Sequence, residues 1–444
     1  MGVYRSVLIG YAVYIAVGFG LLSLPLTHKV ASASWLDHFF TASSAVSTTG
    51  LTTVAVGETY NRIGQTVILL LIQIGGIGYM TLGSFAILAT RERLPADRED
   101  VAQQVFTLPE DFKLTFFLRS VVCWTIGIEA VGGAVLYWRF RVAEIDSPLW
   151  NAIFHSVSSF CTAGFSPFPD SLQRFQNDTW VLGTMGTLAM LGALGFLVLS
   201  DVVRSLRHRP FRPTLTSQTI VVATFAVLAV GAGLLFLLEP AFGDESWQQD
   251  LSAILFQSVN ALTTTGFSSV PMSAIAPPSV LLITLMMICG ASPSGTGGGV
   301  KSTSIAAAVA TTWAMLRGHQ HVRLLGREIP EHRIRLALAS IVFYLLIFFA
   351  GFVGLVTTER LPIADLGFEA ASALGTVGLS REVTGQLSTP GQMMVILMMY
   401  IGRIGPITFG LAIAFDQDGT DPAKQDVPSD GPGEPSEEED LAVT

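Results

Sequence analysis

Charge is scarce in this chain. Only 13% of its 444 residues are Asp, Glu, Lys or Arg, while 50% are hydrophobic; a soluble domain carries about a quarter charged residues. That shortage excludes an ordinary soluble enzyme and points to a chain that crosses a bilayer many times. The net charge of -9 is misleading, because residues 416–444 hold ten acids and a single base, Lys424, leaving a body of 24 acids and 24 bases. A neutral, apolar body with an acidic tail offers no face for nucleic acid. Cysteine is equally sparse: Cys123, Cys161 and Cys289 stand far apart without CxxC or zinc spacing and are expected as free thiols. The seven histidines form no HExxH; His319, His321 and His332 fall in a basic loop, and His155 beside Phe154 is expected to pack. Without a catalytic constellation, an integral-membrane enzyme is a distant alternative. No helical run carries Arg at every third position, which disfavours a voltage sensor.

What is abundant is repetition. Four segments align without gaps: FTASSAVSTTGLT (40–52), FHSVSSFCTAGFS (154–166), FQSVNALTTTGFS (256–268) and FEAASALGTVGLS (368–380). Phe stands ten residues before Gly50, Gly164, Gly266 and Gly378; Ser44, Ser158, Asn260 or Ser372 stands six before; Thr48, Thr162, Thr264 or Thr376 stands two before. The glycines are 114, 102 and 112 residues apart, so the period belongs to a structural unit rather than to a local motif. Apolar runs precede each copy (7–26, about 114–138, 219–238, 336–356) and follow it (66–90, 180–200, 279–316 with an interruption, 391–415). Val7 to Leu26 with the following ASAS imitates a secretory signal, but about 20 apolar residues suit a span, and the first repeat needs this helix. The stretch between run and motif is too short to cross and reads as a half-helix opened by Asp37, Ser147, Asp250 or Asp365 as N-cap or dipole partner.

The expected fold is an all-α polytopic membrane protein: four M1–P–M2 repeats, with eight spanning helices and four pore helices, in pseudo-four-fold arrangement around one pore. Residues 1–112 form the first repeat with its loop, 113–213 the second, 214–330 the third, 331–415 the fourth, and 416–444 a disordered tail. Thirteen of the 25 bases fall in three loops: Arg91, Arg93, Arg98 and Lys113; Arg204, Arg207, Arg209 and Arg212; Arg317, Arg323, Arg327, Arg333 and Arg335. The positive-inside rule places those loops and both termini in the cytoplasm, and the Gly motifs near the outer face. Non-helical backbone at membrane depth is tolerated only where protein buries it or it lines a watery path. Four such segments, none with a carboxylate, can offer carbonyls to a monovalent cation. Close helix packing at Gly is the alternative, but it leaves the recurrent Thr unexplained.

These residues carry a family likeness. The pattern T-x-G-[L/F]-[S/T] in four unequal repeats resembles the Trk/Ktr/HKT superfamily of potassium transporters over residues 1–415, and the KtrB-type membrane subunit most. The resemblance implies a K⁺ filter of Ser47, Thr48, Thr49 and Gly50; Cys161, Thr162, Ala163 and Gly164; Thr263, Thr264, Thr265 and Gly266; and Gly375, Thr376, Val377 and Gly378. Some sodium-preferring plant members have Ser at the first Gly, so Gly50 favours K⁺. The second helix of the third repeat is broken by GASPSGTGGGVKSTS (290–304), which no helix can traverse. Its GGVKS approaches a P-loop, but Val300 spoils the register and no strand precedes it. The resemblance makes this loop a gate, with Gly290, Ser292, Gly295, Gly297, Gly298, Gly299 and Lys301, and pairs it with Arg403, a base deep in the last apolar run. Gln73 and Asp201 read as loop or helix-end partners.

The expected function is gated K⁺ uptake across the cell membrane, driven by concentration and by membrane potential, roughly 2.3 kcal/mol per 100 mV. A sodium-preferring or Na⁺/K⁺-cotransporting member of the same fold is the alternative. The resemblance further implies a homodimer resting on a cytoplasmic ring of nucleotide-binding RCK-type (KtrA-like) subunits. ATP or ADP would then act through that partner, and this chain needs no cofactor beyond K⁺ and possible coupling to Na⁺.

Overall fold

Backbone in hydrocarbon must satisfy its own N–H and C=O groups, so apolar runs fold as helices. The computed structural model describes residues 3–29, 33–78, 114–207, 213–239, 247–293, 295–406 and 409–410. Besides single turns, the helices are α1 (Val3–Leu22), α2 (Trp35–Val46), α3 (Arg62–Ile77), α4 (Leu114–Val142), α5 (Pro148–Phe160), α6 (Thr179–Arg207), α7 (Leu215–Leu238), α8 (Trp247–Thr263), α9 (Pro277–Ile288), α10 (Ser302–Leu316), α11 (Glu331–Thr358), α12 (Ile363–Gly375) and α13 (Thr389–Ile404). A two-residue hairpin, β1 (Arg323–Leu324) with β2 (Arg327–Glu328), lies before α11. Arg91, Arg93, Arg98, Lys113, Arg209, Arg212, the stretch 240–246 and the acidic tail lie outside the described residues, as does the second half of the apolar run 66–90.

Short helices α2, α5, α8 and α12 form the inner layer. Each packs on the long helix before it (α1, α4, α7, α11) and on the helix after it (α3, α6, α9, α13). Each also packs on the second helix of the preceding unit: α5 on α3, α8 on α6, α12 on α9, and α2 on α13. The last contact closes the chain into a ring. Large apolar side chains face outward, as with Val230 and Leu237 on α7 and Leu346 and Val353 on α11, all more than half exposed. Serines and threonines of the short helices are buried instead, apart from half-buried Ser252. This inverted distribution is what a lipid solvent selects.

Local chemistry fixes where the short helices begin. Ser34 caps α2 by accepting from Asp37 N (3.2 Å), while the Asp37 carboxylate accepts from Ser34 N (2.8 Å). Asp37 is thus the third helical residue rather than the cap, and it favours the helix through the dipole. Asp365 occupies the same place in α12, after Pro362. Ser147 precedes α5 without a side-chain cap bond; the Asp250 side chain lies outside the described residues.

Among the described residues, four helices are long and apolar enough to cross a membrane, within α4, α6, α7 and α11. The second helices break below the short ones. α3 ends at Gly78 (φ +83), α13 ends at Gly405 (φ +93), and α6 continues only through a non-helical Gly195 (φ +83). The expected break between α9 and α10 is present, and it is one of four among the described residues. A positive φ is cheap only for Gly, and the clusters GGIG (75–78), GALG (192–195) and GRIG (402–405) supply it.

Candidate ion pathway at the centre of the ring

Each short helix closes at Ser47 or Cys161 as its C-cap, or at Thr263 or Gly375 as its last residue, and the next residue leaves the helix with positive φ: Thr48 (+52), Thr162 (+51), Thr264 (+56) and Thr376 (+49). For a β-branched residue this is a true outlier, costing about 1–3 kcal/mol each, and it occurs four times at one position. Two residues on, Gly50, Gly164, Gly266 and Gly378 have φ of +94, +67, +82 and +96. The helix then takes up the backbone donors. Thr49 N, Ala163 N, Thr265 N and Val377 N donate to the carbonyls of Ser44, Ser158, Asn260 and Ser372 (2.7–3.0 Å). Side chains of those same four residues complete the grip: Gly50 N and Gly378 N donate to Ser44 and Ser372 Oγ (both 3.0 Å), Phe267 N donates to Asn260 Oδ1 (3.2 Å), and Ser158 Oγ donates to Phe165 O (2.8 Å). With N–H groups drawn back toward the helices, the intervening carbonyls are left without those partners.

The four segments meet one another. A Cβ built on Gly50 would collide with Ala163 O, one on Gly164 with Thr265 O, one on Gly266 with Val377 O, and one on Gly378 with Thr49 O. Each glycine therefore abuts the carbonyl of the next repeat, and the fourth abuts the first. The predicted filter residues Ser47 to Gly50, Cys161 to Gly164, Thr263 to Gly266 and Gly375 to Gly378 come together in one ring. A cavity of about 290 Å³ lies over it, lined by all four glycines with Ser166, Ser268, Ser380 and Glu382.

Beneath the ring lies the loop between α9 and α10. Its arms pair through Ala291 N to Gly298 O (3.0 Å) and Val300 N to Ile288 O (2.9 Å). Gly290 touches Gly298 and Gly299 so closely that no Cβ fits. Gly298 N donates to Thr264 Oγ1 (2.9 Å), Thr296 Oγ1 lies 3.2 Å from Thr162 Oγ1 and donates to Phe160 O (3.1 Å), and Gly298 also abuts Thr376. The tip is seated on α6. Thr296 N donates to Gly192 O (3.0 Å), Ser292 N to Ala193 O (3.1 Å) and Ser292 Oγ to Leu194 O (2.7 Å). Those carbonyls precede the Gly195 break, and Gly295 packs against them. Lys301 Nζ closes the loop on Gly297 O (2.9 Å).

Arg403 joins three repeats. Its guanidinium donates to Thr296 O in the loop, and to Gly75 O and Gly76 O (3.2 Å to the latter) at the broken end of α3. The predicted gate residues Gly290, Ser292, Gly295, Gly297, Gly298, Gly299, Lys301 and Arg403 thus form one cluster under the ring. Asp201 is the expected helix-end partner: its Oδ2 accepts from Thr214 N (2.9 Å) and Oγ1 (2.8 Å) at the start of α7. Gln73 instead donates to Glu129 of α4 (3.1 and 3.3 Å), behind Cys161. Glu129 and the glycine pairs that end the second helices escaped the sequence reading. The first carries no repeat signal, whereas the Gly-x-x-Gly recurrence was open to inspection in three repeats.

Comparison with known proteins shows the family and the fold. A family model described as TrkH, a cation transport protein, matches residues 12–420. The chain is 33% identical over 416 residues to the Ktr system potassium uptake protein B of Vibrio alginolyticus, covering 92% of this chain and 91% of that one. It is 33% identical over 412 residues to the protein of that name in Bacillus subtilis (91% and 92%), and 30% identical to the potassium/sodium uptake protein NtpJ of Enterococcus hirae (90% of each). The fold is that of the crystal structure of the potassium transporter TrkH from Vibrio parahaemolyticus, at TM-score 0.71 and 21% identity, over 92% of this chain and 84% of that one. The chain is a multi-pass membrane protein of the TrkH family of cation transporters.

Proposed function

We propose that this chain is the membrane subunit of a potassium uptake system and that K⁺ passes through the four-segment ring. The observation that carries this is the closed ring itself: four Thr–x–Gly segments with N–H groups held by the short helices and each intervening carbonyl set against the preceding repeat's Gly. Uncharged carbonyls replace the hydration shell of a monovalent ion. The ends of α2, α5, α8 and α12 add the partial negative charge of their dipoles. The loop 290–304 and Arg403 close the path below, Arg403 as a positive charge near the axis. Outward ring, inward basic loops and cytoplasmic termini follow from the charge distribution.

The resemblance supplies the partners of this reading: a homodimer on an RCK-type ring, through which ATP or ADP acts. The relative named for potassium and sodium uptake keeps one second reading alive, in which Na⁺ is also carried. K⁺ or Rb⁺ uptake in a transport-deficient strain tests the proposal. Expression restores growth at low K⁺, and excess Na⁺ competes weakly; uptake in which Na⁺ competes as well as Rb⁺ replaces the K⁺ reading by the second one.

A further inference from the structure

Nine residues before each ring glycine stands Thr41, His155, Gln257 or Glu369, and two residues after it stands Thr52, Ser166, Ser268 or Ser380. The first set is on the short helices; the second is on the strand of chain leaving the ring and lining the outer cavity. The ring order found above makes repeats 2 and 4 opposite each other, as are 1 and 3.

In the second and fourth repeats these positions are bonded. His155 Nδ1 lies 2.7 Å from Asn151 O, which has no proton to give, so this nitrogen donates. Nε2 is then the acceptor, 2.9 Å from Ser166 Oγ, and Ser166 in turn accepts from Phe168 N (3.0 Å). Glu369 is 0% exposed. Its Oε2 accepts from Ser380 Oγ (2.8 Å) and its Oε1 from Thr384 Oγ1 (2.5 Å), while Ser380 Oγ accepts from Val383 N (3.2 Å). In the third repeat Gln257 is 1% exposed, yet neither amide atom has a hydrogen-bond partner among the described residues.

Burying a carboxylate is expensive unless hydrogen bonds compensate it, and an apolar side chain would fill the same space more cheaply. Glu369 does what an apolar residue cannot. Two oxygens on one rigid carboxyl hold two hydroxyls, Ser380 and Thr384, that bracket the turn after Gly378. With Ser372 holding Val377 N and Gly378 N from the other side, the fourth segment is clamped at both ends. Selection among monovalent ions depends on the number and field of carbonyls around the ion and on how far the ring can relax.

We propose that Glu369, acting through Ser380 and Thr384, is a positioning residue that sets the aperture of the fourth segment and so its discrimination between K⁺ and Na⁺. His155 does the same through Ser166 across the ring, while Thr41 and Gln257, buried without side-chain partners among the described residues, leave the first and third repeats without this clamp. This rests on the filter reading above.

The test uses the purified full-length protein in liposomes, with Na⁺ and K⁺ flux measured separately per folded protein. Glu369→Ala and the double variant Ser380→Ala/Thr384→Val raise Na⁺ relative to K⁺ flux several-fold. Glu369→Gln restores a ratio close to that of the wild type, because its amide accepts from one hydroxyl and donates to the other. Gln257→Ala leaves the ratio unchanged. Folded Glu369→Ala with the wild-type ratio overturns the proposal, and so does Gln257→Ala with a shift as large. If Glu369→Ala fails to fold, the double variant decides, since it keeps the carboxylate and removes only its partners. A wild-type protein without K⁺ preference overturns the underlying filter reading instead, and that is seen before any variant is made.

Discussion

A side chain on Gly266 has nowhere to go: its Cβ would overlap the Val377 carbonyl, in a backbone of φ +82 that L residues avoid. Gly266→Ser therefore displaces the neighbouring segment along with its own. We expect folded protein whose K⁺-to-Na⁺ flux ratio falls at least about tenfold, equivalent to roughly 1.4 kcal/mol; Rb⁺ uptake under Na⁺ competition measures it, and an unchanged ratio removes Gly266 from the filter. Arg403 is read the same way. Arg403→Gln loses the reach to Thr296 O and to the Gly75 and Gly76 carbonyls. Hydrogen bonds to a charged group are worth about 1.5–3 kcal/mol each, so the closed loop should loosen, with K⁺ flux rising several-fold and selectivity kept. Lower flux would mean that Arg403 supports the pore rather than blocks it. The Thr–x–Gly residues were legible because the repeat exposes them four times. Glu129 and the clamp of Glu369 were not, because their partners are brought near only by the fold.

Hydropathy counts composition along a run and is blind to torsion, so the runs 66–90 and 391–415 read as continuous helices. The structure breaks them at Gly78 and Gly405, and bends α6 at Gly195. Those breaks are useful because each one releases carbonyls from the helical ladder. Gly75 and Gly76 give theirs to Arg403; Gly192, Ala193 and Leu194 give theirs to the loop. The loop and Arg403 are thus held by the very bonds that an intact helix would have kept for itself. Gly195→Ala tests this coupling. A residue with a Cβ pays about 1–3 kcal/mol to keep positive φ, so α6 moves toward a regular helix and the loop loses its seat. The expected outcome is faster hydrogen exchange over 292–300 with raised K⁺ leak. Unchanged exchange there would disconnect the kink from the loop. The glycine-rich loop itself was evident from sequence, since five glycines and a proline (290–304) admit no helix; where its tip lands was not, because that depends on the packing of another repeat.

The architecture as a whole was largely legible. Period, polarity and the alternation of long and short apolar runs give a ring of four, and the packing of α2 on α13 closes it. What composition could not supply is the count of unbroken spans, which torsion decides. The outer face is apolar and the inner face is hydroxyl-rich, so on the proposed reading the selective element is a ring of backbone held by side chains rather than a ring of side chains. That statement is tested by reconstituting the purified wild-type chain in liposomes and replacing K⁺ stepwise with Rb⁺, Na⁺ and Ca²⁺ under a fixed membrane potential. The carbonyl ring predicts K⁺ and Rb⁺ flux well above Na⁺ and negligible Ca²⁺ flux. Equal flux of K⁺ and Na⁺, or flux dominated by Ca²⁺, would contradict it.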